Sequence, residues 1–348
     1  MIRIGVDAWN LPGDHRGIGR YLRAILREWA EHFRDRADVT LVVPEWHTWT
    51  VAHRYRAEVD RPYRVVSRRF HNRAGLDVLW FPFNGCSWTS FTLPAVATLC
   101  DASNFVVPGY APQAQIIFRN AAERCQALIT LSQFSQNELA RELHIDPQRL
   151  TPIPLGTAPP LPARPYPGIE ALKPFVLFVG TMERRKGIDV LAHAMKIVQR
   201  SRPDLTLVIA GEERSEVLAG IDVRAQMLGY VDDAQLAALY RACTLFAFPS
   251  RYEGFGLPIL EAMSYGAPVV TVNGSSLPEA GGDAAAYAPP EDPEALADVI
   301  LRIANDTSYA TELCERGLAR ARRMTWTETA SATLGVFERL QQHKHSNA

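Results

Sequence analysis

Short apolar runs recur along this chain, and stretches with helical periodicity separate them. Nine runs are RIGVDA, TLVVP, DVLWFPF, AVATLC, ALITLS, FVLFVG, TLVIAG, TLFAFPS and PVVTV. The helix predicted over 20–33 carries an apolar stripe formed by Leu22, Ile25, Leu26, Trp29 and Phe33. Strands without polar alternation, separated by helices, are typical of parallel sheets that helices cover on both faces. The pattern therefore predicts an α/β protein.

A proline-rich stretch divides the chain. Eight of the 24 prolines fall between 152 and 174, in PIPLGTAPPLPARPYPGIEALKP. Such a stretch cannot continue a helix or occupy a central strand, so it is predicted to be a semi-rigid connection. We therefore expect two Rossmann-like domains with a cleft between them, consistent with about 150 residues per domain. Function is expected in the loops after the strands, because ligands bind at the carboxyl ends of such sheets.

The composition excludes several classes of protein. The formal net charge is −1, so no global positive field favours nucleic acid as a partner. The five cysteines lack a C-x-x-C pair, which favours a reducing compartment and argues against a zinc site or a disulfide framework. No apolar run approaches the roughly 18 residues of a membrane span. The start, MIRIGVDA, is predicted to be a strand rather than a signal peptide, so we expect a cytoplasmic protein.

The stretch SRYEGFGLPILEAMSYGAPVV, residues 250–270, combines glycines with two glutamates. It follows the strand-like run TLFAFPS. Pro258 suits the first position of a helix and Gly266 the residue after its end. On this interpretation Glu253 lies in the loop and Glu261 about one turn into the helix.

This loop offers two kinds of chemistry. Backbone N–H groups beside the glycines and the helix N-terminus favour a diphosphate or a sugar oxygen. The carboxylates would repel a phosphate, so sugar or ribose hydroxyls are their natural partners. The structural alternative is that Glu261 only complements the helix dipole and the glycines only make a turn. Ser135-x-x-Glu138 and Ser276-x-x-Glu279 each fit a capping box, and Glu279 is also a candidate for the nucleotide pocket.

EGFGLPILEAMSYGAPVV resembles the E-x7-E signature of retaining glycosyltransferases of family 4. The resemblance continues through GDHRGIGRY, LITLSQFSQNEL, PIPLG, FVLFVGTMERRKGIDVL, LVIAGE, LGYVDDAQLAALY, SSLPEAGGDAA and TWTETASATLGVFERL. It implies the GT-B fold, two Rossmann-like domains whose parallel sheets face a central cleft. The acceptor-side domain would cover 1–157 and the nucleotide-sugar domain 158–326. A C-terminal helix over about 327–342 is a candidate to pack back on the first domain.

The resemblance implies a role for each candidate site residue. Glu261 would bind the ribose hydroxyls and Glu253 a hydroxyl of the donor sugar. Arg185 and Lys186 would neutralise the departing diphosphate. Asp101 is a candidate on the acceptor side, or else it caps a loop. The other residues implied to bind the nucleotide sugar are Gly17, Gly180, Tyr230, Val231, Gly254, Phe255, Gly256 and Leu257.

The sequence departs from the family at two points. Cys100-Asp101 stands where relatives commonly have His-Asp, and a thiol cannot act like an imidazole in a histidine-dependent step. Thr181 stands where many relatives have an arginine. Gly17 and Gly19 do not complete a dinucleotide fingerprint, because its third glycine would be needed near Leu22. For Gly17, a plain helix-entry turn and closure over the donor phosphate from across the cleft are equal alternatives.

The expected reaction is retaining hexosyl transfer without a cofactor. The chain contains no D-x-D sequence, so no metal is implied. GTMERRKG and LGYV resemble forms in mannosyl- and rhamnosyl-transferring relatives, which favours GDP-mannose as the donor. Base, sugar, linkage and acceptor stay open. A sugar-nucleotide epimerase and a catalytically silent binding subunit are alternatives, and a nicotinamide oxidoreductase is the least favoured.

Residues 54–73, RYRAEVDRPYRVVSRRFHNR, carry seven arginines among interleaved aromatic residues. In the family the first domain usually meets the acceptor, often a growing surface glycan on a lipid carrier. An arginine-rich segment suits an anionic lipid surface, which suggests peripheral association with the inner face of the membrane. The alternative is a solvated basic face without a partner.

Overall fold

The computed structural model describes residues 1–14, 17–44, 52–61, 63–162, 164, 166–212, 217, 218 and 220–346. The described chain forms two α/β units. One consists of Met1–Leu155 together with Trp326–Ala348, and the other of Gly156–Thr325.

The first unit is built on a parallel sheet with the strand order β3-β2-β1-β4-β5-β6-β7. Its strands are β1 Ile2–Asp7, β2 Ala37–Val43, β3 Arg64–Ser67, β4 Val78–Phe81, β5 Ala95–Thr98, β6 Ala127–Thr130 and β7 Leu150–Pro152. Its helices are α1 Gly17–His32, α2 Ala52–Val59, α3 Ser103–Val106, α4 Ile116–Arg124, α5 Gln133–Leu143 and, from the end of the chain, α13 Trp326–Ser346.

The second unit repeats this architecture with the strand order β10-β9-β8-β11-β12-β13. Its strands are β8 Phe175–Val179, β9 Thr206–Ala210, β10 Ala225–Gly229, β11 Leu245–Phe248, β12 Val269–Val272 and β13 Ala286–Ala288. Its helices are α6 Ile169–Leu172, α7 Ile188–Ser201, α8 Asp233–Ala242, α9 Leu257–Ser264, α10 Leu277–Gly281, α11 Pro293–Asn305 and α12 Thr307–Arg323.

The apolar runs become the central strands, as predicted. Every residue of β4, β5, β11 and β12 is buried, because helices cover both faces of each sheet. The predicted stripe of α1 is buried as well. Trp29 of this stripe packs on Trp80 of β4 with ring centroids 5.3 Å apart. Its indole N–H donates to the carbonyl of Ala330, which fastens α13 to the first unit.

The four strands absent from the sequence prediction are β3, β7, β10 and β13, the two outer strands of each sheet. Pro152 ends β7, where an edge strand tolerates a residue without an N–H donor. Among the described residues, no helix is long and apolar enough to cross a membrane.

Candidate active site

The candidate site of the second unit lies where the strand order of its sheet reverses. β8 and β11 are neighbours, with Val176 opposite Leu245 and Leu177 opposite Phe246. Both strands are parallel, so the loops that follow Val179 and Phe248 leave the sheet at the same edge. In doubly wound sheets, ligands bind at this kind of reversal.

The carboxylate of Glu253 binds groups from both loops. Its Oε1 lies 2.6 Å from the Lys186 ammonium and accepts a 2.8 Å hydrogen bond from the Ser250 hydroxyl. One guanidinium nitrogen of Arg185 is 3.6 Å from the same oxygen. Among the described residues, these contacts of the carboxylate all run through Oε1. The arrangement leaves Oε2 as the oxygen that can accept a hydrogen bond from a ligand hydroxyl.

Two serines fix the backbone of Glu253. The Glu253 N–H donates to the Ser275 hydroxyl at 2.9 Å. The Glu253 carbonyl accepts from the hydroxyls of Ser275 at 2.9 Å and Ser276 at 2.7 Å. The capping box predicted at Ser276 is therefore wrong: Ser276 precedes α10 but makes no side-chain cap, because its hydroxyl serves the Glu253 loop.

The capping box predicted at Ser135 is also wrong. Ser132 caps α5, and its hydroxyl accepts from the backbone N–H of Ser135 at 3.0 Å. Ser135 already lies inside the helix, in its first turn.

The Arg185–Lys186 turn is locked onto the loop of Glu253. The Arg185 guanidinium donates to the Tyr252 carbonyl at 2.9 Å, and the Arg251 N–H donates to the Arg185 carbonyl at 2.8 Å. Gly187, which ends the turn, has φ +68, and a Cβ there would lie 1.9 Å from the Pro249 carbonyl oxygen. Only glycine allows the two loops to approach so closely.

Two ion pairs of Arg251 support this turn. The Arg251 guanidinium lies 2.7 Å from an Asp189 carboxylate oxygen and 2.6 Å from Glu291. Partial burial raises the pKa of Asp189, but hydrogen bonding and the charge of Arg251 outweigh it and hold that pKa below its ordinary value. The carboxylate therefore stays ionised and keeps Arg251 in place at neutral pH.

Helix α9 begins directly after the glycine loop, as predicted. Gly256 precedes it with φ +105, Pro258 lies in its first turn, and Gly266 follows its end with φ +78. Phe255 is buried, so its side chain anchors the loop while its backbone remains part of the turn. Glu261 is half-buried in the second turn of the helix.

Three further candidates follow β8 and β10, two strands of the same sheet that β9 separates. Gly180 comes directly after β8 with φ +144, and its carbonyl oxygen would lie 2.2 Å from a Cβ on Gly211. Tyr230 follows β10 and is 90% exposed, and Val231 beside it is half-buried. An exposed aromatic ring at this edge is available to stack on a planar ligand.

Gly17 and Asp101 belong to the first unit, whereas the cluster around Glu253 belongs to the second. A Cβ on Gly17, the first residue of α1, would meet open space among the described residues, so packing does not require glycine there. Gly19 differs, since its Cβ would lie 1.8 Å from the Asp14 carbonyl oxygen. Asp101 accepts from the Ser103 N–H at 2.8 Å, which is the loop-capping alternative.

Cys100 is buried beside Asp101. Its backbone N–H donates to the Asn84 side chain at 2.7 Å. Burial raises the pKa of the Cys100 thiol far above its ordinary value, and the negative charge of Asp101 adds to the shift. The thiol is therefore neutral and serves packing at this position.

The arginine-rich segment does not form one uniform surface. Arg68 is turned inward, with its guanidinium 4.4 Å from the ring centre of Trp88. Glu58 is paired with Arg23 at 2.7 Å. Arg69, Phe70 and Arg73 are exposed. The other segment arginines form local contacts: Arg56 with the Tyr63 carbonyl, Arg61 with Glu31 and Arg64 with the Ala74 carbonyl; the Arg54 side chain lies outside the described residues.

Within the described part of the chain, no group of three or more histidine, cysteine, aspartate or glutamate side chains could hold a metal ion.

Comparison with known proteins identifies the family. Residues 173–306 match the family described as Glycosyl transferases group 1. The chain is 34% identical over 305 residues to O-antigen chain mannosyltransferase B of Escherichia coli, covering 80% of this chain and 79% of that protein. It is 32% identical over 241 residues to the E. coli serotype-specific mannosyltransferase WbdA, covering 63% of this chain but only 29% of WbdA.

Solved structures share the fold. Sucrose-phosphate synthase from Thermosynechococcus elongatus superimposes with a TM-score of 0.73 at 20% identity, covering 99% of this chain and 100% of that structure. Anabaena HepE in complex with UDP and glucose gives 0.72 at 18% identity, covering 97% and 100%. The chain belongs to the group 1 glycosyltransferases, and its two parallel-sheet domains have the GT-B fold.

Proposed function

We propose that this glycosyltransferase moves a hexose, with retention of anomeric configuration, from a nucleotide sugar to a glycan or lipid-linked acceptor in surface polysaccharide synthesis. One observation carries the proposal: the Glu253 carboxylate and the Lys186 ammonium lie 2.6 Å apart where the strand order of the second unit reverses. Such a transfer needs two groups close together. One is a carboxylate that accepts hydrogen bonds from sugar hydroxyls, and the other is a cation that binds the leaving phosphate.

The donor is expected to rearrange the charges of this cluster. Arg185 and Lys186 interact with Glu253, and Arg185 also lies 3.7 Å from Glu183. A diphosphate would compete with these carboxylates for the two cations. Once Lys186 turns to the phosphate, Glu253 can accept hydrogen bonds from a hydroxyl of the donor sugar.

The remaining donor contacts follow from the same edge of the sheet. Glu261, in the second turn of α9, would accept from the ribose hydroxyls. The N-terminus of α9 and the glycine loop before it would face the diphosphate. Gly180 would let the backbone approach the nucleotide. Tyr230 and Val231 would contact the base.

The transition state of glycosyl transfer resembles an oxocarbenium ion beside a departing diphosphate. Once Arg185 and Lys186 have turned to the diphosphate, they would stabilise the charge that develops on this leaving group. We propose a same-face attack, in which the bond from the anomeric carbon to the phosphate breaks as the acceptor oxygen bonds to that carbon. The departing phosphate oxygen takes the acceptor proton.

Mannose is the proposed sugar and GDP-mannose the proposed donor. Two relatives carry the name mannosyltransferase, one of them acting on the O-antigen chain. The forms GTMERRKG and LGYV in this sequence support the same choice. The acceptor is then proposed to be a mannose-containing glycan.

Nucleotide binding followed by product analysis tests this function. Among GDP, UDP, dTDP and ADP, GDP should raise the unfolding temperature most, because a ligand that binds only the native state stabilises it. Incubation with GDP-mannose and a mannose oligosaccharide should then yield an extended product with an α-anomeric proton by NMR. A β-linked product would contradict retention. Conversion of the donor sugar without any acceptor would instead identify an epimerase, and nucleotide binding without chemistry a silent binding subunit.

Peripheral association with the cytoplasmic face of the membrane is a further part of the proposal. It is supported by the exposed Arg69, Phe70 and Arg73 on the first unit. Two cations beside one exposed aromatic ring suit the headgroup region of an anionic bilayer.

A further inference from the structure

A cavity of about 270 Å³ opens in the first unit at the carboxyl end of β1. Among the described residues, its lining consists of Asp7, Trp9, Pro44, Arg68, Ser87 and Trp88. β1 lies between β2 and β4, where the strand order of this sheet reverses. It is therefore the counterpart, in the first sheet, of the position that Glu253 and Lys186 occupy in the second.

The floor of the cavity contains a buried carboxyl group. Asp7, the last residue of β1, is only 6% exposed. Burial raises the pKa of Asp7 to about 7, although the charge of Arg68 and hydrogen bonds from the Trp88 side chain and the Trp9 backbone lower it. A buried carboxyl group with a shifted pKa that lines an open cavity is a candidate for ligand binding.

Aromatic rings form the walls. The Arg68 guanidinium lies over the Trp88 ring at 4.4 Å, and Trp88 is held edge-on by Phe81 at 5.2 Å. Trp9 packs its edge against Phe83 at 5.9 Å, yet it is 47% exposed. Trp9 therefore lines the cavity with a ring that is partly open to solvent.

These groups specify the chemistry of the ligand. We propose that the cavity binds one sugar ring of the acceptor glycan. Tryptophan rings cover the apolar C–H face of a pyranose, while the Asp7 carboxyl group and the Arg68 guanidinium bind its hydroxyls. The carboxyl group disfavours an anionic ligand, and the paired carboxyl and guanidinium groups disfavour a purely apolar one.

The size of the cavity fits the same ligand. Small-molecule sites commonly enclose about 300 to 1,000 Å³, so about 270 Å³ accommodates a single ring rather than an oligosaccharide. The rest of the acceptor would extend beyond the cavity. This inference rests on the proposed function, because an acceptor glycan is expected only if the protein transfers sugar.

Saturation-transfer NMR and titration with methyl α-mannoside test the site on the full chain. The parent should bind the mannoside. Above the pKa of Asp7, at about pH 8, the parent's carboxyl group is ionised. There Asp7→Asn keeps the size of the side chain and should weaken binding by about 10- to 100-fold, the range for losing a charged hydrogen-bond partner. Trp9→Ala should weaken it by roughly tenfold through lost ring contact. Both variants should bind GDP like the parent, since the nucleotide site is proposed in the other unit.

Tyr110→Ala provides the matched control. Tyr110 is an exposed aromatic residue of the same unit and does not line the cavity, so this variant should bind the mannoside like the parent. Equal mannoside binding by the parent, Asp7→Asn and Trp9→Ala would overturn the inference. So would a parent that binds GDP but no mannoside, and the proposed function would then stand. If the parent bound no nucleotide, the proposed function would fail and the inference with it.

Discussion

The Lys186 ammonium and the Glu253 carboxylate form a 2.6 Å ion pair between the loops that follow β8 and β11, and their side chains are only 18% and 13% exposed. A partly buried pair of this kind is costly to break on one side, because the partner's charge is then left without compensation. The Ser250 hydroxyl and the Arg185 guanidinium near the same carboxylate oxygen reduce that cost. The pair can therefore open when a diphosphate provides Lys186 with another anion.

Lys186→Ala should lower kcat by roughly 10² or more, the scale for losing one preorganised electrostatic contact. The physical reason is that the departing diphosphate loses one of the two cations proposed to stabilise it. Initial rates with GDP-mannose and the mannose acceptor measure the effect. Lys196→Ala, which removes an exposed lysine from α7, is the matched control and should keep the parent rate. An unchanged rate for Lys186→Ala, or a loss that accompanies unfolding in circular dichroism, would refute the assignment.

The two glutamates should respond differently to substitution. Glu261→Ala should weaken GDP binding by about 1 to 3 kcal/mol, because ribose hydroxyls lose a charged acceptor. Glu253→Gln should leave GDP binding equal or tighter, since Lys186 no longer has a competing carboxylate, while turnover falls. Isothermal titration calorimetry and steady-state rates separate the two. GDP binding like the parent in Glu261→Ala, or clearly weaker binding in Glu253→Gln, would contradict these roles.

Ser276 is expected to position Glu253 without touching substrate. Ser276→Ala removes the 2.7 Å hydrogen bond to the Glu253 carbonyl, and Ser275 keeps its own bond to that oxygen at 2.9 Å. We expect a stability loss of about 1 kcal/mol and a several-fold lower kcat with unchanged GDP affinity. Ser276→Thr, which keeps the hydroxyl, should recover part of the rate. A lower GDP affinity with unchanged kcat would show that Ser276 acts on the nucleotide instead.

The apolar pattern of the sequence predicts the central strands of each sheet but not the outer strands. The nine strands expected from apolar runs are buried on both faces, so their sequences carry no polar alternation. Edge strands contribute less to the core, and sequences such as AQMLG in β10 and LTP in β7 give no comparable signal. The edges depend on backbone pairing with a neighbouring strand, which single-segment patterns do not encode.

The site was partly predictable for a similar reason. The helix after the loop, with Pro258 and Gly266 at its two ends, follows from local backbone rules. The serines that hold Glu253 do not, because Ser275 and Ser276 lie more than 20 residues along the chain. Serine is common in turns, so only the fold reveals this use. The arginine-rich sequence likewise predicts a surface position for Arg68, whereas tertiary packing turns it onto Trp88.

Asp7 should make stability depend on pH. Its pKa rises from 3.8 to about 7 on folding, so the folded protein holds this proton more tightly than the unfolded chain. Stability from this group is complete below about pH 4 and falls as pH rises towards 7, by up to about 4 kcal/mol. Asp7→Asn lacks this loss. Urea unfolding from about pH 5 to about pH 8 should show that the free energy of unfolding of Asp7→Asn increases relative to that of the parent as pH rises. A constant difference would mean that Asp7 has an ordinary pKa.

Association with anionic membranes is expected to depend on Arg69 and Arg73, whose side chains are exposed on either side of Phe70. Each basic residue near an anionic surface contributes about 1 kcal/mol, so replacing both by alanine should weaken binding by about 2 kcal/mol, or roughly 30-fold. Arg68 is left intact, because it packs on Trp88 and its loss would disturb the cavity. The matched control, Arg200→Ala with Arg322→Ala, removes two exposed arginines of the other unit and should bind like the parent.

Co-sedimentation with phosphatidylglycerol vesicles measures binding, which should weaken as salt is added because screening shortens the range of the attraction. Equal partitioning onto neutral and anionic vesicles would remove the electrostatic basis for this surface and leave it as a solvated face.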